Sequence, residues 1–308
     1  MQNLTVRYGA FTAVCGVSFE IPPGSVLGLV GESGSGKSSV ARAIVGLTPS
    51  RGAIRLGDTD LSAGPVGRTR QVRRRVQLVF QDPRGSLDPR LHVGDSIAEG
   101  MRGGRRSARV AELLELVSLD PRVAELRPHL LSGGQRQRVA IARALAAEPA
   151  VLIADEVTAS LDVSVQAVVL NLLRRLQRDL GLTMLFISHN LAVVRYVSDE
   201  LAVMFHGRIV EQGPAEEVIG APEHPYTRSL LAAIPQVGER RLLSDDAVEA
   251  SVTGDPAPPP GCDYRLRCPV GPAVRPGMEI CETSDPAGGK DDRLHLAACH
   301  LAEPRAPT

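Results

Sequence analysis

Gly31-Glu32-Ser33-Gly34-Ser35-Gly36-Lys37-Ser38 decides the reading of this chain. The run fits the pattern G-x-x-x-x-G-K-[ST]. It follows an apolar stretch, Val26 to Val30, and opens a helical pattern, Ser38 to Val45, which is the setting in which the pattern has a mechanism. Glycines let the backbone turn successive N–H groups inward around phosphate oxygens, and the helix N-terminus adds the positive end of its dipole. Lys37 supplies a point charge for the β- and γ-phosphates, and the Ser38 hydroxyl suits Mg²⁺. The candidate phosphate site is therefore Gly31 to Ser38, with Ser39 next in the helix. A chance glycine-rich turn is the competing reading. It fares poorly, because only two of the 35 basic residues are lysines and one of them stands on the required position.

Outward from this loop, Val76 to Phe80, Val151 to Ala154, Met184 to Ile187 and Leu201 to Phe205 are further near-continuous apolar runs. Their texture suits parallel strands covered on both faces. Between them Val165, Val168, Val169, Leu172, Leu173, Leu176 and Leu180 recur at helical spacing, and Gly181 ends the helix. Strand–helix alternation predicts an α/β fold of the P-loop NTPase type. Residues 85–135 have little strand character and predict an inserted helical subdomain. The expected division is an ATPase domain over residues 1–236 and a small irregular, cysteine-containing segment over residues 237–308. Asp155-Glu156 closes one strand with two carboxylates. Asp155 can hold Mg²⁺, and Glu156 can orient or deprotonate water for attack on a γ-phosphate. An acidic turn after a buried strand is commonplace alone; beside the phosphate loop it implies nucleotide hydrolysis.

Composition removes other classes. Lys+Arg and Asp+Glu are 35 each, and this zero balance argues against a nucleic-acid partner. A hydrophobic share of 43% with 23% charged residues is that of a folded globule. Aromatics at 3%, with no Trp, leave no base-stacking platform. No run reaches the roughly 18 apolar residues of a membrane span, and no basic-then-apolar leader opens the chain. A cytoplasmic location is expected, where disulfides are rare.

The remaining motifs resemble those of the ABC-type ATPases. Leu131-Ser132-Gly133-Gly134-Gln135 looks like their signature loop, and Gln81 after Val79-Phe80 looks like the Q-loop glutamine. Ser160-Leu161-Asp162 looks like the D-loop, and His189 looks like the switch histidine. Tyr8 stands where the family stacks an aromatic ring on adenine. The resemblance covers about residues 2–236, with the motifs in family order. Each has a plainer reading: Ser132 is also a good N-cap, Tyr8 a sheet aromatic, and His189 alone a structural histidine. The resemblance implies ATP and Mg²⁺, the metal held by Ser38, Gln81 and Asp155, with Glu156, His189 and Gln81 as the catalytic set. It also implies two ATPase subunits that sandwich ATP, the loop Ser132 to Gln135 of one facing the phosphate loop of the other.

Pro83 to Pro89, Asp162 to Ala167 and His224-Pro-Tyr-Thr-Arg-Ser-Leu-Leu231 resemble the dipeptide/oligopeptide permease ATPases, with a lean to the second ATPase of that system. This implies two multi-span permease subunits, an extracytoplasmic solute-binding protein and a peripheral place on the cytoplasmic side of the membrane. Relatives in this branch carry nickel or other small solutes, and a soluble, non-transport ABC ATPase is the remoter alternative. There are departures. Val157 replaces a proline after the carboxylates, and Ser39 replaces a threonine.

The tail holds Cys262, Cys268, Cys281 and Cys299. It has few periodic apolar residues, so a staple is expected. Four thiols suit a tetrahedral metal site, Zn²⁺ or an iron–sulfur cluster. The resemblance to the permease ATPases implies a [4Fe–4S] cluster, with His295 and His300 as spare ligands.

Overall fold

The structure is a computed structural model that describes residues 1–62, 68–81, 83–101, 106–159, 161–233, 260–286 and 295–302. Asp82, Ser160, Lys290 and the linker residues 254–259 lie outside these. In chain order the strands are β1 (Gln2–Tyr8), β2 (Phe11–Val17), β3 (Val26–Val30), β4 (Ser50–Ala53), β5 (Arg55–Leu56), β6 (Thr59–Asp60), β7 (Val76–Val79), β8 (Val151–Asp155), β9 (Thr183–Ser188), β10 (Glu200–Phe205), β11 (Arg208–Pro214) and β12 (Leu296–Ala297). The first helices are α1 (Lys37–Ile44), α2 (Arg70–Arg75), α3 (Pro83–Ser86), α4 (Val93–Ala98), α5 (Arg106–Leu116) and α6 (Gly133–Leu145). The rest are α7 (Val163–Leu180), α8 (Leu191–Val197), α9 (Ala215–Gly220), α10 (Pro225–Ala232) and α11 (Ile280–Thr283).

All five apolar runs become strands of one sheet, ordered β12-β11-β10-β3-β9-β8-β7. From β10 to β7 every pairing is parallel. Alternate residues feed two separate cores. Val26, Val30, Leu152, Ala154, Met184 and Phe186 pack with the helices α4 to α8. Leu27, Leu29, Ile153, Leu185 and Ile187 pack with α1 and the antiparallel sheet β2-β1-β4. A strand apolar at every position has this use for both faces. Between β7 and β8 lie α3 to α6 and two short 3₁₀ turns, the helical insert.

The helix read from spacing is α7, and Gly181 closes it at φ 60, a left-handed cap that glycine adopts without a Cβ clash. Its buried stripe is rotated from the expected one. Leu170 joins it, while Val168 is 49% and Leu180 51% exposed. The sheet β2-β1-β4 and the antiparallel edge strands β11 and β12 were not visible in the apolar runs.

His224 caps α10, its Nδ1 accepting the Tyr226 N–H at 3.1 Å, so the ring must stay neutral at that nitrogen. Burial pushes its pKa from 6.5 down to about 4, against the opposing pull of Glu211. Above pH 6.5 folded and unfolded chains both hold the ring neutral. Below it the unfolded chain takes up a proton that the folded chain refuses. The contribution is therefore full above 6.5 and drains away as pH falls toward about 4, on the order of 3 kcal/mol in all. Melting curves of wild type and His224→Asn, which keeps a capping oxygen, should converge across that window. Parallel curves would contradict the assignment. His295, pulled upward by its bond to Glu211, contributes with the opposite sign but is common to both proteins.

Candidate functional site

Parallel strands end in loops on one edge, and the expected site residues collect there. β3 delivers Gly31 to Ser38, β7 leads to Gln81, β8 ends in Asp155 and Glu156, and β9 ends before His189. These four strands are neighbours in the order β3-β9-β8-β7, so the sheet itself brings the loops together.

The loop after β3 needs its glycines. Gly36 sits at φ 105, and a Cβ there would lie 2.4 Å from the Ala13 carbonyl oxygen. Gly31 at φ 156 would meet the Met204 carbonyl oxygen at 2.1 Å. Lys37 is 4% exposed, and its ammonium fills the loop's hollow, donating to the carbonyls of Gly31 (2.8 Å) and Glu32 (2.7 Å) and to Ser35 Oγ (3.3 Å). Burial lowers its pKa, while Glu156, Asp155 and Glu32 pull it back up.

Ser38 Oγ donates to Asp155 Oδ1 at 3.2 Å. Burial raises the Asp155 pKa, the Ser38 hydrogen bond working against it. A hydroxyl and a buried carboxylate in contact are the hard oxygen donors that Mg²⁺ takes, so the residues present fit that ion. Gln81 is exposed two residues beyond the end of β7, on the same edge.

Glu156 has φ 49, an unusual conformation for a residue with a side chain. Its N–H donates to the Ile187 carbonyl at 2.9 Å, tying the end of β8 to the end of β9. His189 Nδ1 lies 3.3 Å from Glu156 Oε1. Strain held in place by a neighbouring strand is a feature of functional sites. Val157, which departs from the expected proline, is 1% exposed in the core. Tyr8 is 43% exposed at the end of β1, and its hydroxyl donates to Ser39 Oγ at 3.4 Å. The two parts of the chain therefore meet at the start of α1.

Ser132 caps α6: its Oγ accepts the Gln135 N–H at 3.2 Å, and Gln135 Oε1 accepts the Ser132 N–H at 2.9 Å. This reciprocal pair satisfies two N–H groups at the helix start. Gly134 is required by packing, since a Cβ would lie 2.3 Å from Val165 Cγ1. Asp162 stands at the N-terminus of α7. Among the described residues no hydrogen bond joins Ser132 to Gln135 with the loop Gly31 to Ser38.

The expected [4Fe–4S] or Zn²⁺ site is corrected. Cys262, Cys268, Cys281 and Cys299 are all described, yet among the described residues no group of three or more His, Cys, Asp or Glu is placed to hold a metal ion. The tail has found a different staple. Cys262 and Cys268 pack against the main core, and Tyr264 and Cys281 are buried. Burial pushes the Cys262 thiol up to about 11 and raises Cys281 and Cys299 as well. The spare histidines are engaged elsewhere: His295 Nε2 with Glu211 at 2.7 Å, His300 Nε2 with the Ser284 carbonyl at 2.9 Å. Arg208 adds ion pairs to Asp263 (3.3 Å) and Asp285 (2.6 Å). Docking on the α/β core does what a metal was expected to do.

Two contacts to the loop were missed. Arg267 grips the Glu32 carboxylate, and the Tyr226 hydroxyl accepts the Glu32 N–H at 2.9 Å. Aromatic scarcity was the available signal for Tyr226, since the chain has four tyrosines and five phenylalanines. A cavity of about 1400 Å³ lies at the opposite edge of β8 and β9, around Ala150, Val151, Leu182 and Thr183.

Residues 14–159 match the ABC transporter family, and residues 210–273 match the C-terminal region of oligopeptide/dipeptide transporters. The di/tripeptide transport ATP-binding protein DppF of Pseudomonas aeruginosa is 41% identical over 98% of this chain and 94% of its own. Among solved structures, the dimeric ATP-binding cassette MJ0796 bound to ADP and Pi is 28% identical with a TM-score of 0.61, covering 70% of this chain and 97% of that one. The cassette MJ1267 in its ADP conformation, 24% identical with a TM-score of 0.65 over 76% of this chain and 97% of that one, shares the fold.

Proposed function

The chain belongs to the ATP-binding subunits of ABC transporters, in the oligopeptide/dipeptide permease branch, and from that membership we propose that its ATPase cycle drives uptake of short peptides across a membrane. The observation that carries the mechanism is the convergence of the loop Gly31 to Ser38, Asp155, Glu156 and His189 on one sheet edge.

In this reading the N–H groups of Gly31 to Ser38 bind the phosphates, and the Lys37 ammonium exchanges its carbonyl partners for phosphate oxygens. Tyr8 stacks on the adenine. Ser38, Asp155 and Gln81 hold Mg²⁺, which when bound neutralises phosphate charge. Glu156 accepts the proton of the attacking water, and His189 holds the Glu156 carboxylate in line and reaches toward the γ-phosphate. Ser132 to Gln135 serve the nucleotide of a second ATPase subunit, with Asp162 at the seam between the two. A loop that makes no hydrogen bond to its own phosphate site and presents a capped helix N-terminus suits a partner's phosphate. Two multi-span permeases and an extracytoplasmic solute-binding protein complete the importer, with this chain on the cytoplasmic face.

Reconstitution with the permeases and the binding protein tests the reading. Di- and tripeptides should stimulate phosphate release and accumulate in vesicles in an ATP-dependent way. Stimulation by Ni²⁺ and not by peptides would move the assignment to another solute. Ser132→Asp separates cap from site. A carboxylate caps as well as a hydroxyl, whereas Ser132→Ala costs about 1 kcal/mol. Ser132→Asp should therefore keep the melting temperature and still lose ATPase in the assembled pair, because it sets a negative charge against the partner's phosphate. Full ATPase in Ser132→Asp would remove the loop from the shared site.

A further inference from the structure

Glu32, inside the phosphate loop, is held from two later parts of the chain. Arg267 Nη1 and Nη2 donate to Glu32 Oε2 and Oε1 at 3.0 and 2.8 Å, a two-pronged pair spanning 235 positions of sequence. The Glu32 N–H donates to the Tyr226 hydroxyl at 2.9 Å, and the Glu32 carbonyl accepts from the Lys37 ammonium at 2.7 Å. One residue thus joins the tail, α10 and the phosphate-binding lysine.

The arginine is prepared for this contact. Its guanidinium lies 5.7 Å from the Phe205 ring centre and 6.0 Å from that of Tyr264. Tyr264 packs edge-on against Tyr226 and Phe205, with ring centres 5.4 and 5.2 Å apart, and its hydroxyl is 3.1 Å from Ser229 Oγ. A planar cation on an aromatic platform loses less freedom when it pairs with a carboxylate.

We propose that Arg267 is a positioning residue for the nucleotide site: the docked C-terminal segment, through the Arg267–Glu32 pair, holds the phosphate loop in its binding shape and so sets the affinity for ATP. This rests on the nucleotide reading of the loop given above. The pair is 42% and 41% exposed at its two side chains, where ion pairs contribute little to global stability. Its effect should therefore appear in affinity and not in melting temperature.

A double-mutant cycle on the full-length protein tests this, read by titration with a fluorescent ATP analogue and by melting curves. Arg267→Gln should weaken nucleotide binding about fivefold and raise KM more than it lowers kcat, at unchanged melting temperature. Glu32→Gln should match it, and the double variant should be no worse than either single one. Arg267→Lys, a point charge without the fork, should fall between. Wild-type affinity in Arg267→Gln, or additive losses in the double variant, would overturn the proposal. Failure of the wild-type protein itself to bind the analogue would instead remove the nucleotide reading on which it rests.

Discussion

Lys37→Ala yields a folded protein whose nucleotide affinity and ATPase turnover fall by at least about 100-fold, the loss expected when one charge aimed at the reacting phosphates is removed. The Lys37 ammonium is enclosed, and its three donors reach the Gly31 and Glu32 carbonyls and Ser35 Oγ. Folding should survive, because alanine also removes the cost of burying a cation, which is what lowers the lysine pKa. Lys37→Arg should fail as well. A wide planar fork does not fit a cage closed around a point charge, in a loop so close to its surroundings that a Cβ at Gly36 or Gly31 would clash with the carbonyls of Ala13 or Met204. Circular dichroism alongside nucleotide titration checks both variants; a Lys37→Arg protein with normal affinity would show that the cage is looser than its contacts indicate.

The site was legible where motif and strand coincide. A strand apolar on both faces must lie inside a covered sheet, and its C-terminal loop must reach one edge, so the positions of Lys37, Asp155, Glu156 and His189 followed from their places after apolar runs. The sheet β2-β1-β4 was not legible, because its strands bury few positions and their pairing is broken by register shifts between Leu4 and Arg7. The tail was misread for a related reason. Tyr264 looks stranded in a polar segment, and nothing local shows that Phe205 and Tyr226, far back in sequence, provide the rings it packs against. Arg267 was one of 33 arginines, and no spacing rule connects it to Glu32. Long-range packing, which local pattern does not encode, accounts for each of these misses.

Glu156→Gln is the second large effect: nucleotide binding stays close to wild type while turnover in the assembled complex falls by about 100-fold to 10,000-fold, the range for loss of a positioned general base. The amide has the same shape, so the backbone at φ 49 and its bond to the Ile187 carbonyl should persist. What disappears is the capacity to accept a proton, and binding contacts to the phosphates come from other residues. His189→Ala should also lower turnover, since the ring 3.3 Å from Glu156 Oε1 orients the carboxylate. If the two residues act as a unit, Glu156→Gln and His189→Ala together should be little worse than Glu156→Gln alone. Single-turnover phosphate release with bound ATP isolates the chemical step from product release. A Glu156→Gln complex that turns over at near the wild-type rate would mean that the water's proton leaves by another group, and that the strained carboxylate at the end of β8 is structural.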